Sequence, residues 1–465
     1  MSEAAGKVVV DLLAEGPTVE AAVAVFAARV QPAILESSLA DDRYGRFSIF
    51  AADPVAAVTL DRLEAARCGL SRAPSVADRA PEVPFSGGWI GFIPYELGLP
   101  SEGMVPHPDV DIARAAHFAF YDAAAVYDHL RGCWFTVAVE WAGQRSSVTE
   151  RFAGLRTLLA DAAARPEPRP PAPLTTQPAP SMSRPSYLAK VERIKRFIEA
   201  GDAYEVNLTQ RFTCATTATP LELYLRLRRA SPSSYAAFLP WNQAAILSSS
   251  PELFLDLRDG RVLTRPIKGT RPRGGSPRAD AVRRRELEQS EKDGAELNMI
   301  VDLLRNDLGR VCKYGSVQVT QPRAIEEHQT VFHQVATIQG QLAPSRNWAD
   351  LLRATFPGGS VTGAPKIRAM QIIRQLEPTP RGVYCGAIGW IGLDGNATFN
   401  LAIRTMVQRR DRVSFYAGGA IVADSEPEAE YEETLVKLEG MLRALNCARP
   451  AETTTTTLRE PATAA

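Results

Sequence analysis

SYLAKVERIKRFIEAGDAYEVNLTQRFTC (residues 186–214) switches its periodicity once, at a glycine. Tyr187, Val191, Ile194 and Ile198 recur at helical spacing, and Gly201 is a residue on which such a helix stops. From residue 204 to 214 the side chains alternate as in a strand. Working outward, residues 244–250, 386–393 and 413–422 also read as strands, and ELFLDLRDGRVLTRPI (residues 252–267) as a hairpin turning at Asp259-Gly260. Helical patterns occupy residues 280–308, 365–375 and 426–445. Antiparallel hairpins mixed with long helices give an α+β fold.

Two segments lie outside this alternation. PEPRPPAPLTTQPAPSMSRP (residues 166–185) is proline-rich and reads as an exposed linker, and the low-complexity tail after Cys447 as disordered. The expected division is an N-terminal subdomain (1–163), a linker (164–185), a catalytic domain (186–448) and a tail (449–465). No repeat of fixed period is found.

The 53 basic and 53 acidic side chains cancel, which removes any general electrostatic basis for binding nucleic acid or a membrane surface. The six cysteines show neither zinc spacing nor a dense disulfide framework, as in a reduced cytoplasmic protein. No secretory leader and no membrane-length apolar run is apparent.

Three stretches carry candidate chemistry. In PEAEYEETLVKLEG (residues 427–440), Glu430, Glu433 and Lys437 fall on one helical face. That spacing by itself suits a solvated ion pair first, and also two oxygen ligands for Mg²⁺. In RPIKGTRPRGG (residues 265–275), Lys268 precedes a Gly-Thr turn among Arg265, Arg271 and Arg273. Like charges combined with burial would lower its pKa and free the amine for attack; the bland alternative is a basic hairpin tip. FPGGSVTGAPK (residues 356–366) and YAGGAIVADS (residues 416–425) can present backbone N–H groups to an anion, or can simply be turns.

Together with SSSPELF, AELNMIVDLLRNDLGRV, YCGAIGWIG, IRT and AEYEET, these motifs resemble the chorismate-utilising enzymes, and among them the amination components of aminodeoxychorismate synthases. The resemblance covers residues 186–445. It extends more loosely to LESSLADDRYGRFSIFAADP (residues 35–54) and GGWIGFIPYELG (residues 87–98).

The resemblance implies stacked antiparallel sheets flanked by helices, an anthranilate synthase-like fold with chorismate bound between the sheets. It implies Mg²⁺ on Glu296, Glu430 and Glu433, next to the ring carboxylate. The enolpyruvyl carboxylate would meet Arg404, Tyr384, Gly418 and Gly419, while Gly269, Thr270, Thr362 and Lys437 line the same pocket. Lys268 would attack ring C2 with loss of the C4 hydroxyl, protonated by Glu252; ammonia at C4 would then expel the lysine and give 4-amino-4-deoxychorismate for 4-aminobenzoate and folate synthesis. His333 is an alternative acid/base or a substrate contact, with a hydrogen-bonded pocket wall as the bland reading. Anthranilate synthases usually have alanine at the Lys268 position. Glu205 stands where isochorismate- and salicylate-forming relatives have a water-activating lysine, which argues against those activities, and Ala420 replaces a frequent third glycine. Ser37, Tyr44, Gly45, Arg46, Phe47, Ser234, Tyr235 and Ala236 would form the family's tryptophan site, regulatory or structural. No glutaminase segment or pyridoxal-phosphate lyase is found, so ammonia would come from a separate glutamine amidotransferase subunit. The competing readings are an anthranilate synthase component and a non-catalytic chorismate- or tryptophan-binding regulator.

Overall fold

The alternation from residue 204 is realised as the strand Glu205–Ala215, and the preceding periodicity as the helix Arg184–Glu199, with Gly201 at φ +81 beyond its end. The Asp259-Gly260 turn joins Leu253–Arg258 to Arg261–Arg265 with both turn residues at positive φ. The computed structural model describes residues 7–39, 44–59, 83–99, 103–105, 116–141, 146–328 and 331–450. Cys68 and residues 451–465 of the expected tail lie outside the described residues.

Two large antiparallel sheets organise the chain. The first runs from Lys7–Leu13 through Cys133–Glu140, Ala123–Asp128, Phe47–Ala51, Ala33–Glu36, Tyr235–Trp241, Ala244–Ser250, Thr405–Arg409 and Arg412–Ile421 to Glu205–Ala215 and Gly363–Ala364. The second runs from Ile267–Pro272 through Val331–Gln341, Arg261–Arg265, Leu253–Arg258, Ala397–Leu401, Ala387–Gly392, Gly88–Ile93 and His117–Tyr121 to Ala56–Thr59.

Their facing sides share one core, in which Ile49, Val126, Phe135 and Ile246 meet Ile90, Phe92, Ile388 and Trp390. The outer face of the first sheet packs on the helices Arg184–Glu199, Pro220–Ala230 and Pro427–Leu445. That of the second packs on Glu291–Gly309 and Trp348–Thr355. The layering is therefore helix, sheet, sheet, helix, and the α+β expectation holds.

Strands from both sides of the proline-rich segment share both sheets. That segment is less free than a linker: Ala179–Pro180 pairs with Phe212 and Thr213, Ser181 N donates to Arg211 O at 2.7 Å, and Met182 is buried. The expected helix over 280–308 is two helices, Pro277–Glu288 and Glu291–Gly309. Ser290 breaks it as an N-cap, its side chain accepting from Asp293 N at 3.2 Å, and that local bond competes with helix continuation.

Candidate active site

Val206 and Leu208 of the strand Glu205–Ala215 enter the helix-covered core, so the alternation puts Glu205, Asn207 and Thr209 on the opposite face. Lys268 meets Glu205 from Ile267–Pro272, the edge strand of the second sheet, whose pairing is irregular between Ile267 and Thr270. Gly269 follows with φ +86, a left-handed conformation suited to glycine. The Lys268 Nζ donates to Glu205 Oε1 at 2.6 Å, and both residues are buried. Asn207 Nδ2 reaches the same oxygen at 3.4 Å, while Glu205 Oε2 is buried without a partner.

This environment overturns the expectation of a lowered lysine pKa. Arg265 pairs with Glu326, Arg271 with Asp293 and Arg273 with Asp280, so each arginine is compensated by its own carboxylate. Burial pulls the Lys268 amine down, but Glu205, Glu296 and Glu252 outweigh it and hold the ammonium above the ordinary lysine value.

Glu252 interacts electrostatically with Lys268, and its pKa is raised as well. Burial pushes its pKa up to about 7, against the pull of a 2.6 Å hydrogen bond from Ser360 Oγ and of the Lys268 charge. A carboxyl titrating there can donate a proton near neutrality. His333 tends the other way: burial, Arg404 and His328 hold its pKa well below the usual histidine value. Its Nδ1 lies 2.8 Å from Thr270 Oγ1, the hydrogen bond that a pocket-wall role calls for.

Arg404 has φ +48 and a pKa lowered by burial; its guanidinium has no hydrogen-bond or ion-pair partner among the described residues. A half-buried guanidinium without a partner calls for an anion. Tyr384 stacks on Tyr416 with centroids 5.0 Å apart. Thr362 O accepts from Asn207 N at 2.9 Å, which ties the Phe356–Lys366 segment to the Glu205 strand. Lys437 Nζ reaches Gly418 O at 2.9 Å and Glu433 Oε1 at 2.7 Å. Gly418 cannot be larger, since a Cβ there would lie 2.0 Å from Leu208 O.

The three expected metal ligands come from two helices. A Cβ on Gly419 would lie 3.1 Å from Glu430 Oε2 and 3.5 Å from Glu433 Oε1, so both carboxylates converge over that glycine. Glu296 faces them from Glu291–Gly309, and burial, with Glu205 and Glu433 adding to it, raises its pKa to about 7. Three carboxylates are the donor chemistry that a hard divalent cation takes. Among the described residues no three acidic, histidine or cysteine side chains are close enough to hold an ion together. Lys292 stands between the helices, its Nζ 3.1 Å from Glu430 Oε1 and 4.0 Å from Glu296 Oε1.

Sequence reasoning missed Ser360, Lys292, the Glu205–Lys268 pairing and a brace behind the site. In that brace Arg381 donates to Glu377, Val361 O and Asn207 O, Thr209 donates to Glu377, and Glu96 accepts from Arg381 N. One signal was available: Glu205, Asn207 and Thr209 are polar at every second position, alternating with the apolar Val206 and Leu208.

A separate cavity of about 720 Å³ is lined by Tyr44, Arg46, Phe47, Ser234, Tyr235 and Ala236, with Glu36 and Asn400. Ser37 stands behind it, bonded to Ser48 and Leu39; a Cβ on Gly45 would collide with Ser37 Oγ.

The chorismate binding enzyme family matches residues 34–443, across both sheets. The chain belongs to this family. It is thus an enzyme of chorismate utilisation. Aminodeoxychorismate synthase component 1 of Klebsiella aerogenes is 38% identical over 431 residues, covering 89% of this chain and 93% of the relative. Anthranilate synthase component 1 of Geobacillus stearothermophilus is 36% identical over 405 residues, with 83% and 80% covered. Among solved structures, anthranilate synthase component I of Streptococcus pneumoniae is 31% identical with a TM-score of 0.73, covering 87% of this chain and 93% of that one. Among the described residues no helix is long and apolar enough to cross a membrane.

Proposed function

We propose that the chain converts chorismate and ammonia to 4-amino-4-deoxychorismate, as the cytoplasmic amination component of an aminodeoxychorismate synthase serving 4-aminobenzoate and folate synthesis. The observation that carries this reading is Lys268, a buried amine bonded to Glu205 and within electrostatic reach of Glu252, a carboxyl whose pKa is raised to about 7. Arg404, with no partner of its own among the described residues, receives one carboxylate of the dianionic substrate. Glu296, Glu430 and Glu433 would hold Mg²⁺, which supplies positive charge against the other.

Lys268 must lose a proton before it can attack, and Glu205, 2.6 Å away, is placed to accept it. The amine bonds to ring C2, the double bond shifts, and the C4 hydroxyl leaves as water with the proton of Glu252. Ammonia then bonds to C4 and expels the lysine amine, which takes its proton back from Glu205. The proton released by the new C4 amine restores Glu252. Names of the form "component 1" among the relatives support a partner component, here a glutamine amidotransferase supplying ammonia. The 720 Å³ cavity is large enough for tryptophan, structural or regulatory.

With chorismate and Mg²⁺ but no ammonia, a protein adduct should accumulate on Lys268, read by intact mass and peptide mapping. Lys268→Ala should lose the adduct. With ammonium added, the parent should release 4-amino-4-deoxychorismate. Anthranilate plus pyruvate would instead place the chain with the anthranilate synthases. No adduct in the parent, with unchanged product formation by Lys268→Ala, would remove the covalent step.

A further inference from the structure

Glu430 and Glu433 lean over Gly419 from the last helix, and Glu296 faces them from Glu291–Gly309. Glu430 is buried and accepts from Ser425 Oγ at 2.7 Å, a neutral donor that leaves its charge uncompensated. The two helices would repel one another across this gap if nothing positive stood in it. Lys292 stands there, half-exposed, with its ammonium in contact with Glu430 and at the limit of contact with Glu296. Glu433 has a cation of its own, since Lys437 lies one helical turn along and is anchored on Gly418 O. Lys437 therefore neutralises one helix from within, whereas Lys292 reaches from one helix to the other.

We propose that Lys292 is a resident counter-cation which bridges Glu296 and Glu430 in the metal-free protein, and which Mg²⁺ must displace to bind them. The proposal rests on the reading of these carboxylates as the metal site. Its physical content is competition: an ammonium on Glu430 Oε1 occupies a lone pair that the metal needs, and the four-carbon stem of Lys292, exposed at its end, can swing into solvent. The stabilisation Lys292 gives the metal-free protein is thus subtracted from metal affinity.

The test is calorimetric titration of the full chain with Mg²⁺ alone, without substrate, for the parent, Lys292→Met, Lys292→Arg and Glu430→Gln. Lys292→Met should bind Mg²⁺ more tightly, by up to about fivefold for so exposed a pair. It should also melt at a lower temperature than the parent without metal, and the gap should close at saturating Mg²⁺. Lys292→Arg keeps the charge and should bind as the parent does. Affinity that is unchanged or weakened in Lys292→Met would overturn the proposal. If the parent binds no Mg²⁺, or Glu430→Gln binds like the parent, the carboxylate site itself falls and the proposal with it. That failure shows in the parent and the glutamine variant, not in Lys292→Met alone.

Discussion

Buried carboxylates in this molecule are treated in two ways. At Glu36, beneath the N-terminal cavity, Tyr224 Oη and Arg228 Nε donate to one oxygen and Arg228 Nη2 to the other. Glu377 is similar: Thr209 contributes two donors and Arg381 two more, shared over both oxygens. At the pocket the supply of donors is thinner. Glu205 has Lys268 and a long contact from Asn207 on one oxygen and nothing on the other; Glu252 has Ser360 and the Ile267 backbone. A buried polar atom left unpaired costs about 1–3 kcal/mol, so a fold keeps such atoms where something else is gained. Saturated carboxylates hold segments together, and under-saturated ones remain able to exchange protons.

Glu252→Gln tests the second half of that contrast and should have the largest effect. Glutamine keeps the shape but has no acidic proton, so adduct formation on Lys268 should slow by about 10² to 10⁴. The sign of the pH dependence follows from the raised pKa: protonated Glu252 is the active form, so the parent's rate should fall as pH rises through about 7. Measured at saturating Mg²⁺, that fall should vanish in the variant. A variant as fast as the parent would take Glu252 out of the chemistry. Arg381→Met tests the first half. It strands Glu377 and removes the links to Val361 and Asn207, so unfolding by denaturant should lose about 3–5 kcal/mol. A loss below about 1 kcal/mol would mean that saturation at Glu377 is incidental.

What the sequence could reveal followed the range of the forces involved. Helix stops, strand alternation and the Asp259-Gly260 turn depend on neighbours a few residues away, and they appear where the pattern put them. The break at Ser290 was hidden because helical periodicity continues through it and only a cap bond marks it. Lys268, Glu252 and Arg404 were found through motifs, but the electrostatics of Lys268 were not. The arginines nearest Lys268 in sequence are each paired elsewhere, and the charge that controls it, Glu205, is 63 residues away on the other sheet. Residues that act only by contact across the fold, such as Ser360, Lys292 and Arg381, carry no local signature.

The smallest effect probes how finely donor supply sets the acid. Ser360 Oγ donates to Glu252 Oε1 at 2.6 Å, and a donor of this kind favours the charged carboxylate. It therefore holds the pKa of Glu252 below the value that burial alone would give. Ser360→Ala removes the donor, so the carboxyl should keep its proton to higher pH. The alkaline fall in the rate of adduct formation should move upward by up to about one pH unit, the equivalent of one ordinary hydrogen bond. The maximal rate at low pH should change little, because the acid itself remains. A downward shift would mean that the hydroxyl accepts from a protonated Glu252 instead of donating to it. No shift would mean that burial and Lys268 alone set the acid, and the contrast between well-supplied and poorly supplied carboxylates would then lose its explanation at the residue where it matters most.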